Sequence, residues 1–257
     1  MAGHDPGDGG DVTAPAHSPA AGTGAGAGTE EIVEVGHRPI REVNADIRKA
    51  VARGSRVRVQ DTLSRHNLGV ALPEGADLVF EGSVGYYCGG LNNGATIRVE
   101  RNAGWGLGEA MASGVITVDG YAGMAAGASM LGGLLHVRGD AGPRTGVAQK
   151  GGDIVVEGSV GFLSGFMAHA GRIIVLADAA DAAGDSLWGG EMWVAGNIGS
   201  PGVDSRIVEP DAEEVASVED LLSSLGVGDV SRRWKKIVSG QKLWHFESRD
   251  AQAWLMI

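Results

Sequence analysis

Several side chains in this sequence are of types that do chemistry, and their spacing limits what each could do. Glu81, Glu100 and Asp119 stand nineteen residues apart, with Arg138 and Glu157 at the next two steps. Adjacent carboxylates at strand spacing can divide acid and base work between them. The same column also reads as a solvated charged face that discourages side-on association, with Arg98 and Arg101 close to Glu100, and this reading is favoured. Asp178, Asp181 and Asp185 lie in a Gly-rich stretch of the kind that binds calcium in some β-helices, but the trio does not recur in other repeats, so a polar turn is expected. Gly104-Trp105-Gly106-Leu107-Gly108 invites a phosphate loop, yet its spacing fails GxGxxG and no long helix follows to hold a pyrophosphate. Cys88, the single cysteine, has no evident activating neighbour and reads as a small core residue. The seven histidines are scattered without ligand spacing or a Ser/His/Asp constellation, and His66 and His245 are read as structural hydrogen-bonding residues. No catalytic, cofactor-binding or metal-binding residue is assigned.

The element that must position these groups is a nineteen-residue repeat. Apolar pairs recur in register as Leu78/Phe80, Ile97/Val99, Ile116/Val118, Leu135/Val137, Ile154/Val156, Ile173/Val175 and Met192/Val194. Residues at i and i+2 share one face of a strand, and the apolar stretch is too short for a helix. Units of fixed period that cannot bury their own apolar face stack into a solenoid. The expected fold is all-β, a parallel β-helix of about seven coils over 76–206, about 34 Å long at a strand spacing of about 4.8 Å. Three glycine columns follow each pair, beginning at Gly82, Gly85 and Gly89. They are expected at sharp corners, where glycine takes positive φ without steric penalty.

The column Val84, Ala103, Ala122, Ala141, Val160, Ala179 and Ile198 is small and apolar, suited to a narrow interior. The intervening strand positions, Val79, Arg98, Thr117, His136, Val155, Ile174 and Trp193, should point outward. From Val155 onward that row is apolar, so it is expected beneath the C-terminal segment or another protein.

The ends of the chain have different compositions. Residues 1–30, rich in Gly, Ala, Pro and Asp, read as a disordered tail. Residues 31–75 read as an N-terminal cap, with a helix over 41–53 that places Val43, Ile47 and Val51 on one face and stops at Gly54. Residues 207–257 read as a helical and aromatic docking tail, with a helix start at Ser217-Val218-Glu219-Asp220 and a concentration of Trp234, Ile237, Val238, Leu243, Trp244, Phe246 and Trp254.

A net charge of −11 over 257 residues argues against nucleic acid or an anionic membrane as partner. No stretch approaches an apolar membrane span, and the first thirty residues lack the basic and apolar regions of a signal peptide. A cytoplasmic location is expected.

Phe80-Glu81-Gly82-Ser83-Val84-Gly85, the GxGxG at 104–108, and the run from Gly114 through Gly132-Gly133 and Gly151-Gly152 to Gly189-Gly190 resemble the GXGXG domain that ends the large subunit of glutamate synthase. The likeness covers roughly 37–202, including Asn67-Leu68-Gly69. It implies a right-handed parallel β-helix. In that family the domain shares a chain with a glutamine amidotransferase domain and an FMN-binding synthase domain, neither of which is recognisable here. Free-standing versions resemble the middle subunit of N-methylglutamate synthase-type complexes, and the segment 234–246 fits that type. The resemblance therefore implies a non-catalytic subunit of nitrogen and glutamate metabolism that docks an amidotransferase-like subunit to an FMN-binding one. FMN is expected in the partner and no cofactor on this chain. Val155, Ile174, Trp193, Trp234, Leu243, Trp244 and Phe246 are the candidate interface, and Trp193→Asp is expected to disrupt assembly while leaving the rod folded. Two alternatives stand beside this one: the β-helix component, itself without an active centre, of a formylmethanofuran dehydrogenase or formyltransferase/hydrolase complex, and an independent β-helix carbohydrate-active enzyme such as a polysaccharide lyase.

Overall fold

The structure is a computed structural model that describes residues 29–228 and 232–240. Its strands are β1 (Glu30–Glu34), β2 (Arg56–Gln60), β3 (Asp77–Phe80), β4 (Asn93–Val99), β5 (Ser113–Val118), β6 (Leu134–Val137), β7 (Lys150–Val156), β8 (Ala170–Val175), β9 (Glu191–Val194), β10 (Ser205–Val208) and β11 (Lys235–Ser239). The helices are α1 (Ile40–Ala52) and α2 (Ala212–Ser224). One sheet contains every strand, in the order β1-β2-β3-β4-β5-β6-β7-β8-β9-β11-β10.

From β3 to β9 each strand pairs in parallel with the next at a step of nineteen: Leu78 with Ile97, Ile97 with Ile116, and so on to Ile173 with Met192. The expected parallel β-helix of about seven coils is the observed fold. The apolar pairs form its interior, and the column from Val84 to Ile198 makes a second line of parallel bridges on another side of each coil.

The glycine columns divide into two physical roles. Gly89, Gly108, Gly127, Gly146, Gly165 and Gly184 have φ between +64° and +75°, the left-handed turn expected of them. Gly85, Gly104, Gly123, Gly142 and Gly161 do not; there the coils simply lie too close for a side chain. A Cβ on Gly142 would sit 2.8 Å from the Gly123 carbonyl carbon, and one on Gly161 would sit 2.5 Å from the Pro143 nitrogen. Left-handed backbone also occurs two residues to either side of the turn glycine, at Tyr87, Arg144 and Leu163 and at Leu91, Ala148 and Met167. Only the middle position demands glycine, because its Cβ would point into the core: at Gly127 it would meet Ile154 Cδ1 at 2.5 Å.

The N-terminal cap holds more of the rod than its composition suggested. β2 pairs in parallel with β3, β1 pairs in parallel with β2, and Asn67, Gly69 and Ala71 repeat the left-handed triplet with φ of 59°, 63° and 53°. Residues 56–75 are thus a further coil. Glu30 belongs to β1 rather than to the tail, and residues 1–28 of that tail lie outside the described residues. Helix α1 inserts Val43 and Ile47 into the core as expected, and Gly54 (φ +78°) follows its end. Asn44 ties it to the coil below by donating to the Asn67 carbonyl (2.7 Å) and accepting from the Gly69 amide (2.9 Å).

At the other end β11 runs antiparallel between β9 and β10, pairing Ile237 with both Met192 and Ile207. Helix α2 begins at Ala212, not at Ser217 as the sequence suggested. An earlier capping box decides this: Asp211 accepts from the Glu213 and Glu214 amides, and Glu214 accepts from the Asp211 amide.

Candidate functional site

The acidic column on the outer face is interleaved with cations. Arg58 reaches Glu81 at 2.5 Å, Glu30 at 3.3 Å and Glu100 at 4.0 Å. Arg98 pairs with Asp119 (2.8 Å) rather than with the nearer Glu100 in sequence, because its side chain extends toward the next coil. Arg138 closes on the same carboxylate at 3.0 Å, a Coulombic contact without hydrogen-bond alignment. These carboxylates therefore act as links between coils, a structural role beyond the solvated face that the column suggested.

His136 Nε2 lies 2.8 Å from Glu157 Oε1 across one coil step, with the imidazole buried. An ionised carboxylate only accepts, so a neutral His136 carries its proton on Nε2. Burial pushes this imidazole below its usual value, outweighing the opposite pull of Glu157. Cys88 is completely buried and its thiol is pushed up to about 12 by desolvation, leaving no thiolate at neutral pH.

A second polar ladder explains the turn aspartates. Ser83 Oγ accepts from the Asn102 amide, Asn102 Oδ1 from Tyr121, Asp140 Oδ1 from Ser159, Ser159 Oγ from Asp178, and Asp178 Oδ1 from Asn197 at 2.6 Å. Asp185 likewise accepts from the Val203 amide (3.1 Å). Each side chain satisfies a backbone N–H of the following coil, the polar-turn role expected for Asp178 and Asp185. His66 takes the structural role expected of it, its Nδ1 accepting from the Tyr86 amide at 2.9 Å, whereas His245 lies outside the described residues. Trp105, in the GxGxG stretch, stacks on Tyr86 at 5.0 Å and Tyr86 on His66 at 4.3 Å.

The candidate interface needs correction. Val155, Ile174, Trp193 and Trp234 are buried together with Val218 and Leu222 of α2, so the apolar outer row is covered by the chain's own C-terminal segment. Glu219 fastens this cover by accepting from Arg232 (2.8 Å) and from Trp234 Nε1 (2.7 Å), and Arg172 joins Asp153 (2.7 Å) to Ser217 (3.1 Å). Lys236 bridges Glu191 and Glu214. Burial alone would depress its ammonium, and the two carboxylates overcome this and raise it. These four apolar residues hold the protein together and are not a surface for a partner. Leu243, Trp244 and Phe246 lie outside the described residues.

A shallow groove of about 310 Å³ borders this clamp, between Trp188, Arg206, Val208 and Val238. What the sequence reading missed is a row of exposed apolar side chains on the turns: Tyr86, Trp105 and Phe162, each about half exposed, with Leu91 and Met167 five residues further along their coils. The signal was available, since Tyr86, Trp105 and Phe162 lie in one nineteen-residue column. Among the described residues no group of three or more His, Cys, Asp or Glu could hold a metal ion, and no helix is long and apolar enough to cross a membrane.

Compared with known proteins, the chain matches no family model, and no curated protein matches it.

Proposed function

We propose that this chain is a structural subunit of a glutamate synthase-like complex of the N-methylglutamate synthase type. It holds a glutamine amidotransferase-like subunit against an FMN-dependent synthase subunit, and the chemistry belongs to those partners. One observation supports this reading above the others: the glycine column from Gly85 to Gly161 brings neighbouring coils closer than any side chain would permit. The polar side chains on two of the outer faces are committed to joining one coil to the next. The product is a stiff rod of constant register. Such an element fixes the separation of two active sites to the tolerance that transfer of a reactive nitrogen donor requires. The glycines that set this spacing are among those that carry the resemblance to the GXGXG domain. The proposed setting is cytoplasmic, and the amine substrate is ammonia or methylamine.

Affinity purification of the tagged chain from its native host, with mass spectrometry and an absorption spectrum of the eluate, tests the proposal. Amidotransferase-like and FMN-domain chains with a flavin spectrum are the expected result. Formyl-transfer or hydrolase partners, or a colourless protein that acts on a polysaccharide by itself, would overturn it.

A further inference from the structure

The turns of the rod form a ridge built from four residues per coil, those in register with Tyr86, Tyr87, Gly90 and Leu91. The two residues between them, Cys88 and Gly89 in the first coil, are buried, as are Gly90, Gly106 and Ala128 among the ridge positions themselves. Over five successive coils these twenty ridge positions carry only two charges, Glu109 in the second coil and Arg144 in the fourth. Neither has an ion-pair partner among the described residues. The large exposed side chains sit toward the ends of the ridge, at Tyr86, Leu91 and Trp105 on one side and Phe162 and Met167 on the other, while the middle coil carries the partly exposed Met124, Ala125 and Ser129 and the buried Ala128.

We propose that this ridge pairs two copies of the chain antiparallel, about a two-fold axis that passes between Ala125 and Ala128. The proposal follows from the arrangement of side chains. A two-fold axis normal to the ridge at the third coil sets the second coil of one copy over the fourth of the other. It also exchanges the columns of Tyr87 and Gly90. Glu109 then faces Arg144 of the second copy, and Arg144 faces Glu109, each about 4.8 Å along the rod from the axis. The same operation sets apolar side chains of one copy opposite apolar side chains of the other. Trp105 falls over Ala148 of the second copy, Tyr86 over Met167, and Leu91 over Phe162. At the centre the partly exposed Ala125 lies beside the axis. An isologous contact needs this self-complementarity, and two lone opposite charges placed symmetrically about a small-residue centre supply it. The ridge lies away from the surface covered by α2, so pairing leaves the C-terminal clamp intact. The proposal does not depend on the identity of any other partner.

Charge reversal tests it in the purified full-length chain by sedimentation velocity and equilibrium. The wild-type protein is expected to dimerise. Glu109→Arg alone and Arg144→Glu alone each place like charges opposite one another at both symmetric contacts, and each is expected to weaken dimerisation by about tenfold or more. The double variant restores opposite charges and is expected to recover the dimer. Thermal unfolding of each variant shows that the fold is retained; both positions are on the surface of turns, so no large change is expected. A wild-type chain that stays monomeric at every concentration overturns the proposal. So does a dimer indifferent to either single reversal, or a double variant no better than the singles.

Discussion

Trp193 and Trp234 meet edge to face, with ring centroids 6.2 Å apart and planes at 78°. Trp193 lies on β9 of the rod and Trp234 in the segment entering β11, so one aromatic contact fastens the end of the chain to its last coils. The Lys236 ammonium lies 5.4 Å over the Trp193 ring and adds a cation–π contact. Offset and edge-on arrangements of this kind add about 0.5–1.5 kcal/mol beyond the area they bury.

Trp193→Ala is therefore expected to destabilise the protein by about 3–5 kcal/mol, measured by urea denaturation. The stronger Trp193→Asp change acts on the same internal contact before it acts on any assembly. Hydrogen exchange is expected to show α2 losing protection in this variant while β3 to β6 keep theirs. Retained protection of α2 would count against the clamp.

The two roles of glycine separate by substitution. Gly142→Ala forces a Cβ to within 2.8 Å of the preceding backbone, which cannot yield as a side-chain tip does, and is expected to cost about 1–3 kcal/mol. Gly54→Ala has open space around it but φ of +78°, so its cost is limited to backbone strain of about 1–2 kcal/mol. A further contrast lies in breadth: Gly142→Ala is expected to raise amide exchange in the coils on both sides, and Gly54→Ala only at the end of α1.

His136 gives stability a pH dependence of known sign. Its folded-state value lies below the usual imidazole value, so the unfolded chain binds the proton first as pH falls. The contribution is complete above about pH 6.5 and is lost as pH falls through that value toward the lower folded one. His136→Phe is expected to flatten this part of the profile of unfolding free energy against pH. An unchanged slope between about pH 5 and 7 would show that another group is responsible.

Asp211→Ala removes the acceptor for two amides at the start of α2 and is expected to cost about 1 kcal/mol. Asp211→Asn keeps the acceptor and should cost less. Ser217→Ala tests the start suggested by sequence alone. That side chain receives the Arg172 guanidinium from within the helix, so its loss should weaken docking of α2 without shortening it.

The nineteen-residue period was enough to determine the parallel stacking, the register and the interior columns, because strand geometry leaves residues two apart on one face and a fixed repeat leaves one way to align them. Likewise Val43 and Ile47 could be placed on the buried side of a helix from spacing alone. Which glycines turn the chain and which let coils approach was not legible, since both roles demand the same residue. The extra coil over 56–75 was hidden because its step to β3 is twenty-one residues. The fate of Val155, Ile174 and Trp193 was decided only in three dimensions. A sequence shows that an outer row is apolar, but whether the cover is α2 or another protein depends on where a segment distant along the chain packs. The pairing of Arg98 with Asp119 instead of Glu100 has the same cause: long side chains choose among neighbours that only the assembled coils bring within reach.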